Sequence, residues 1–226
     1  MNPLQRAGGI AALVEALAYI VGFAVIATVL DPGSVDDWSA IRKMEFVLER
    51  KAIFQLWTLG IYVVFGIALV VLAVALHSRL QQSSLGLMQV ATAFGLIWAG
   101  LVIASGMVAS IGLEAVAALH AKDPAQAAST WVTIGAVQDG LGGGVEVVGG
   151  LWVLLVSVAA LRTATLPRAL NWLGILIGVA GIASVIPVLL DARYLFGLLQ
   201  IVWFIWLGVA MLRTPEMRER NRRFAS

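Results

Sequence analysis

The sequence predicts an all-α, polytopic membrane helix bundle with six transmembrane helices and both termini on the cytoplasmic side. Three observations carry that expectation. Only 12% of the 226 residues are charged, about half the roughly 25% of an ordinary soluble domain. Hydrophobic residues make up 61% of the chain, and its mean hydropathy is +0.95. Six apolar stretches are long enough for the roughly 20 residues that carry a helix across a bilayer.

The helices are expected at 9–30, 54–76, 85–113, 131–161, 170–190 and 194–212, within a single transmembrane domain that ends in a basic tail at 213–226. Asp31, Pro32 and Gly33 stop the first. It is longer than the roughly 7–15 residues of a signal-peptide core, so it reads as a membrane helix and not as a leader. His77 to Arg79 and the Gln81–Ser84 turn separate the second helix from the third. Arg162, Pro167 and Arg168 separate the fourth from the fifth, and Asp191 to Arg193 form a turn before the last.

Orientation follows from the basic residues, which are enriched in cytoplasmic segments. With the N-terminus inside, inner segments hold Arg6, Arg79, Arg162, Arg168 and the five arginines 213, 218, 220, 222 and 223. Outer segments hold Arg42, Lys43, Arg50, Lys51, Lys122 and Arg193, so the bias is nine against six. The arginine-rich tail reads as an anchor beside anionic lipid, and no nucleic-acid partner is expected. Between the first two helices, Ser34 and Asp37 fit a capping box. Val35, Trp38, Ile41, Met44 and Leu48 then recur at helical spacing, which predicts a short amphipathic helix on the outer surface, the alternative being a lid. The segment 114–130 is expected to be a second, Ala-rich helical connection. The stretches 66–95 and 150–178 share a weak hairpin-like pattern.

Chemistry is most legible in the fourth helix. Gln138, Asp139 and Glu146 interrupt an apolar segment, with Gly140, Gly142, Gly143 and Gly144 between them. A carboxylate near the bilayer centre costs a few kcal/mol, so it faces protein or water. Asp139, Gly143, Glu146 and Gly150 step by four, three and four and would share one helical face. Ala136, Gly140 and Gly144 form an adjacent small-residue row of the kind that admits a second backbone. Three consecutive glycines also favour a kink or break.

Two readings of this constellation stand side by side. In one, Asp139 and Glu146 line a hydrated cavity and take up a proton, a cation or a polar ligand, with Gln138 and Glu15 as further binding candidates. In the other, the glycines form a packing seam and the carboxylates are satisfied by structural hydrogen bonds. Gln89, Ser105, Ser110, Asn171 and Gln200 are possible partners at membrane depth. No Lys or Arg lies at the membrane centre, and Arg193 is expected to reach Asp139 or Asp191 but not Glu146, so Glu146 is expected to be neutral at rest. Trp38, Trp57, Trp131 and Trp172 fall near expected interfaces, whereas Trp98, Trp152, Trp203 and Trp206 are deeper.

The chain has no cysteine and only two histidines, His77 and His120, which excludes disulfides and thiolate chemistry and leaves no basis for a histidine-built metal centre. Phosphate-loop, zinc-protease and serine-hydrolase motifs are missing. No catalytic residue, metal or cofactor is assigned, and an enzyme acting on a lipid-like substrate is the third reading after a ligand- or proton-binding protein and an assembly subunit. The partners expected are the lipid bilayer and a membrane-protein partner or second copy.

Three further stretches carry a resemblance. Arg6-Ala7-Gly8-Gly9 opens the first helix, Gly95-Leu96-Ile97-Trp98-Ala99-Gly100 lies in the third, and Leu166-Pro167-Arg168-Ala169-Leu170-Asn171-Trp172-Leu173-Gly174 enters the fifth. In these the chain resembles the DUF4386 family of bacterial membrane proteins. The resemblance implies an integral membrane protein of six or seven helices, and it brings no activity and no site residue with it; the inner membrane of a bacterium is the expected location.

Overall fold

A computed structural model describes residues 2–143, 146–163 and 165–213. The described residues form helices joined by short turns, and no strand occurs among them. Helix α1 is Pro3–Thr28, capped by the Asn2 side chain on the Leu4 N–H. Helix α2 is Ala40–Glu49. Helix α3, Lys51–Gln82, and helix α4, Ser84–His120, form an antiparallel pair. Helix α5 is Pro124–Gln138, α6 is Val147–Thr163, α7 is Arg168–Ala183 and α8 is Ala192–Arg213.

Five helical stretches are long and apolar enough to cross a membrane: α1, α3, α4, the run Pro124–Thr163 that contains α5 and α6, and α8. Helix α7 has 16 residues, which at about 1.5 Å per residue falls short of a bilayer core roughly 30 Å thick. Its expected extension to 190 is absent because the backbone leaves the α conformation after Ala183, with Pro187 starting a short 3-10 turn, Pro187–Leu189. Proline lacks the N–H that an α-helix interior needs.

Lipid gives helices no hydrophobic reason to associate, so close approach of small residues becomes the organising force. Gly9 of α1 and Gly208 of α8 meet in this way: a Cβ at Gly208 would lie 2.9 Å from the Gly9 carbonyl oxygen. Gln5 Nε2 donates to the Met211 carbonyl at 3.1 Å, so the start of α1 and the end of α8 share one end of the bundle. The tightest seam joins α6 to α7. A Cβ on Gly150 would sit 2.7 Å from Ile182 N and 2.8 Å from Gly178 O. Around these seams runs an aromatic core in which Trp98 meets Trp152 at 5.7 Å between ring centroids and Trp152 meets Trp203 at 5.9 Å.

The connections before α3 and between α4 and α5 fold onto the bundle. Helix α2 begins at Ala40, not at the expected Ser34–Asp37 capping box. Ser39 supplies the cap, accepting the Arg42 N–H at 3.2 Å. Gly33, at φ +71°, and the Asp31 carboxylate that accepts its N–H at 2.8 Å hold the preceding residues in a turn. The apolar side of α2 lies on protein: Met44 is fully buried with Val116 of α4 and Ala127 and Ala128 of α5, and Ile41 and Leu48 pack against them. Helix α4 runs out to His120, which pairs with Glu45 at 3.1 Å, and Asp123 caps α5 through the Gln126 N–H.

Candidate functional site

The fourth helix, expected at 131–161, is broken where its glycines cluster. Residues Asp139–Gly143 form a π turn, and Gly142 adopts φ +120°, a conformation that L side chains rarely tolerate and glycine enters freely. Helix α6 then starts afresh at Val147. The Glu146 carbonyl accepts the Gly150 N–H at 2.8 Å, while the Glu146 N–H donates to Ser184 Oγ at 3.0 Å. Ser184, fully buried after α7, passes its own hydroxyl proton to the Gly181 carbonyl at 2.7 Å. One serine thereby satisfies a backbone donor that the break has exposed at membrane depth, where an unpaired N–H is costly.

The break changes how Asp139 and Glu146 come together. They do not share the face of one helix. Asp139 opens the π turn, Glu146 precedes α6, and both line one cavity of about 410 Å³ between α1, α3, α4 and α8. Among the described residues, neither carboxylate has a hydrogen-bond or ion-pair partner. Its walls are aromatic: Tyr19 and Phe23 from α1, Trp57, Tyr62 and Phe65 from α3, and Trp98 from α4. Arg193 and Tyr194, at the start of α8, complete it. Arg193 thus lines the same cavity as Glu146 without forming an ion pair with it. Arg193 Nη2 donates to the Tyr194 hydroxyl at 3.1 Å, and the guanidinium lies 5.0 Å from that ring.

A second π segment faces the first. Leu59–Val64 of α3 is π-helical, and it supplies Ile61 and Tyr62 to the cavity. Single π turns inside α-helices are frequent at functional sites because they re-aim side chains. The two segments are tied together: Gln138 Nε2 donates to the Tyr62 hydroxyl at 3.1 Å, and Ser105 Oγ donates to the Gln138 carbonyl at 3.2 Å. Gln138 therefore fixes the end of α5 against α3 and α4 and does not itself line the cavity.

Glu15 lies elsewhere. It is fully buried on α1, one turn from Tyr19, and both carboxyl oxygens lack a partner among the described residues. Gln200, also fully buried, has neither amide atom paired among them. The small-residue row meets no other helix of this chain at its described positions. A Cβ at Gly140 would meet no atom within 4 Å, and Ala136 and Gly140 are exposed on the bundle surface. The close approaches fall at Gly150, Gly178 and Gly181 instead, because α7 packs on α6 and not on the turn before it. Gly144 lies outside the described residues, as does the tail beyond Arg213.

Sequence reasoning missed the aromatic walls. Tyr19 and Phe23 stand four residues apart on α1, a spacing equally suited to core packing, and Trp57 had been placed at an interface. The comparisons with known proteins bear on the whole fold. Curated proteins and solved structures gave no match. A family model described as a domain of unknown function, DUF4386, matches residues 7–212. With nearly its whole length matched, the chain belongs to the DUF4386 family.

Proposed function

We propose that this chain is a six-span protein of the bacterial inner membrane, with both termini cytoplasmic, that binds or translocates a small ligand or a proton at a site centred on Glu146. In this topology α7 makes the sixth crossing, lengthened by residues 184–190, and the cavity faces outward. The excess of arginine at the end shared by α1 and α8 supports that orientation.

One observation carries the functional reading: two carboxylates on either side of a helix break line one cavity, and neither has a partner among the described residues. Such groups are expensive at membrane depth and persist where they meet water, a proton or a ligand. Discontinuous helices are also where membrane transport proteins hold their cargo. The cavity volume, about 410 Å³, lies within the roughly 300–1,000 Å³ of small-molecule sites.

The chain has no cysteine, so single cysteines report accessibility directly. Right-side-out vesicles carrying Glu146→Cys would be treated with a membrane-impermeant, charged methanethiosulfonate reagent. Labelling from the outside is expected, as is labelling of Lys122→Cys. Gln82→Cys, exposed at the turn between α3 and α4, should react only after permeabilisation. An inert Glu146→Cys in a folded protein would remove the cavity reading, and outside labelling of Gln82→Cys would reverse the topology.

A further inference from the structure

We propose that the cavity binds an organic cation carrying apolar groups, such as an alkylated or arylated ammonium or phosphonium, with its charge among the aromatic rings and the carboxylates of Asp139 and Glu146. The proposal rests on the reading of this cavity as a ligand site and names the ligand's chemistry.

Charge sign comes first. Asp139 and Glu146 are two acids against one base, Arg193, in the lining, and among the described residues no ion pair joins Arg193 to either carboxylate. With both carboxylates ionised the lining carries one net negative charge, which a bound cation balances.

The walls then select the kind of cation. A hard divalent ion sheds its water only for a cage of about six oxygens, whereas seven of the seventeen residues of this lining carry aromatic rings, Tyr19, Trp57, Tyr62, Phe65 and Trp98 among them. The ring faces attract a weakly hydrated organic cation by about 0.5–2 kcal/mol each, more as water is excluded. The same rings accept its apolar substituents. A second groove, lined almost entirely by apolar side chains of α1 and α3, adjoins the cavity through Ala18, Trp57 and Ile61, which line both. It gives apolar groups on the ligand a place to lie, continuous with the lipid-facing surface.

The test uses the full chain in nanodiscs and equilibrium dialysis of tetraphenylphosphonium, tetrapropylammonium and tetraphenylborate. The first and last share shape and apolar surface and differ in charge. Empty nanodiscs correct for partitioning into lipid. Saturable binding of at least one cation is expected, with the borate at least tenfold weaker. The double variant Asp139→Asn, Glu146→Gln should lose at least tenfold in cation affinity while retaining its helical circular dichroism and elution volume. Equal binding of the borate would overturn the cation while leaving a ligand site. Undiminished cation binding by the folded double variant would overturn the carboxylates' role. Absence of saturable binding by both cations would overturn the proposal. If Glu146→Cys also resists labelling, the cavity reading falls with it. Should the double variant fail to fold, the comparison of phosphonium with borate on the unaltered chain decides alone.

Discussion

The Glu146 N–H donates to Ser184 Oγ at 3.0 Å, joining the start of α6 to the end of α7 across the helix break. Two discontinuities are held by one hydroxyl, since Ser184 also closes onto the Gly181 carbonyl. The cavity wall at Glu146 is therefore set from behind by a residue that does not line it.

Ser184→Ala is expected to destabilise the protein by about 1–3 kcal/mol, the cost of leaving a buried donor unpaired. The Glu146 amide should exchange its hydrogen faster than in the unaltered chain, while amides at the middle of α1 stay unchanged. Native mass spectrometry or peptide-level hydrogen exchange in detergent reads both. Unaltered exchange around Glu146 would mean that the break is held by something else.

The α6–α7 seam gives a sharper contrast. Gly150→Ala places a methyl within 3 Å of backbone atoms of Gly178, Gly181 and Ile182. Backbone cannot rotate aside as a side chain does, so the helices must part, at a cost of about 1–3 kcal/mol or more. Gly140→Ala meets nothing within 4 Å and is expected to leave the melting temperature unchanged. Scanning fluorimetry on the intrinsic tryptophans compares them. If the row through Ala136 and Gly140 instead docks a partner helix, Gly140→Leu will leave the melting temperature alone and abolish co-purification of that partner.

The pH dependence of cation binding follows from mass action at the carboxylates. The titratable and charged groups facing the cavity are Asp139 and Glu146 from the break, Tyr19 from α1, Tyr62 from α3, and Arg193 and Tyr194 from α8. Ordinary tyrosine and arginine keep their charge state between pH 5 and 8, which leaves the two acids. A proton on Glu146 removes a charge that holds the cation, so cation affinity should fall as pH falls, by at most about tenfold per pH unit. Glu146→Gln should flatten the profile. Dialysis of tetraphenylphosphonium at four pH values measures it, and affinity that rises on acidification would contradict the assignment.

These outcomes bear on what a sequence can disclose. The long helices were legible because lipid demands unbroken apolar runs, and the break was legible because three adjacent glycines weaken any helix. Which small residues make a seam was not. The spacing of Gly140 and Gly144 and that of Gly150 with its neighbours look alike, and only the position of α7 selects between them. The cavity was hidden for a related reason: Tyr19, Trp57, Tyr62 and Trp98 come from three helices, and rings at helical spacing look the same whether they meet a core or a void. Arg193 lies 47 residues from Glu146 along the chain, and only the fold brings them to one site. The start of α2 was misplaced because Ser34, Asp37 and Ser39 all offer cap chemistry, and the Gly33 turn decides among them.

Glu15 provides the last prediction. It is fully buried on α1, and no described group pairs with its carboxyl. Burying a polar group without compensation costs about 1–3 kcal/mol by mutational measures, and a residue retained solely for packing would gain by losing it. Glu15→Met keeps the length and flexibility of the side chain and removes the carboxyl, so it should raise the melting temperature. Since Glu15 sits one turn from Tyr19, which lines the cavity, the same change should also depress any proton movement that the cavity supports. Proteoliposomes loaded with a pH-sensitive dye, energised by a potassium gradient and valinomycin, would report that movement beside Glu146→Gln. A more stable protein with reduced proton flux is the expected pair of results. A fall in stability would show that Glu15 has a structural partner and belongs to the packing of α1.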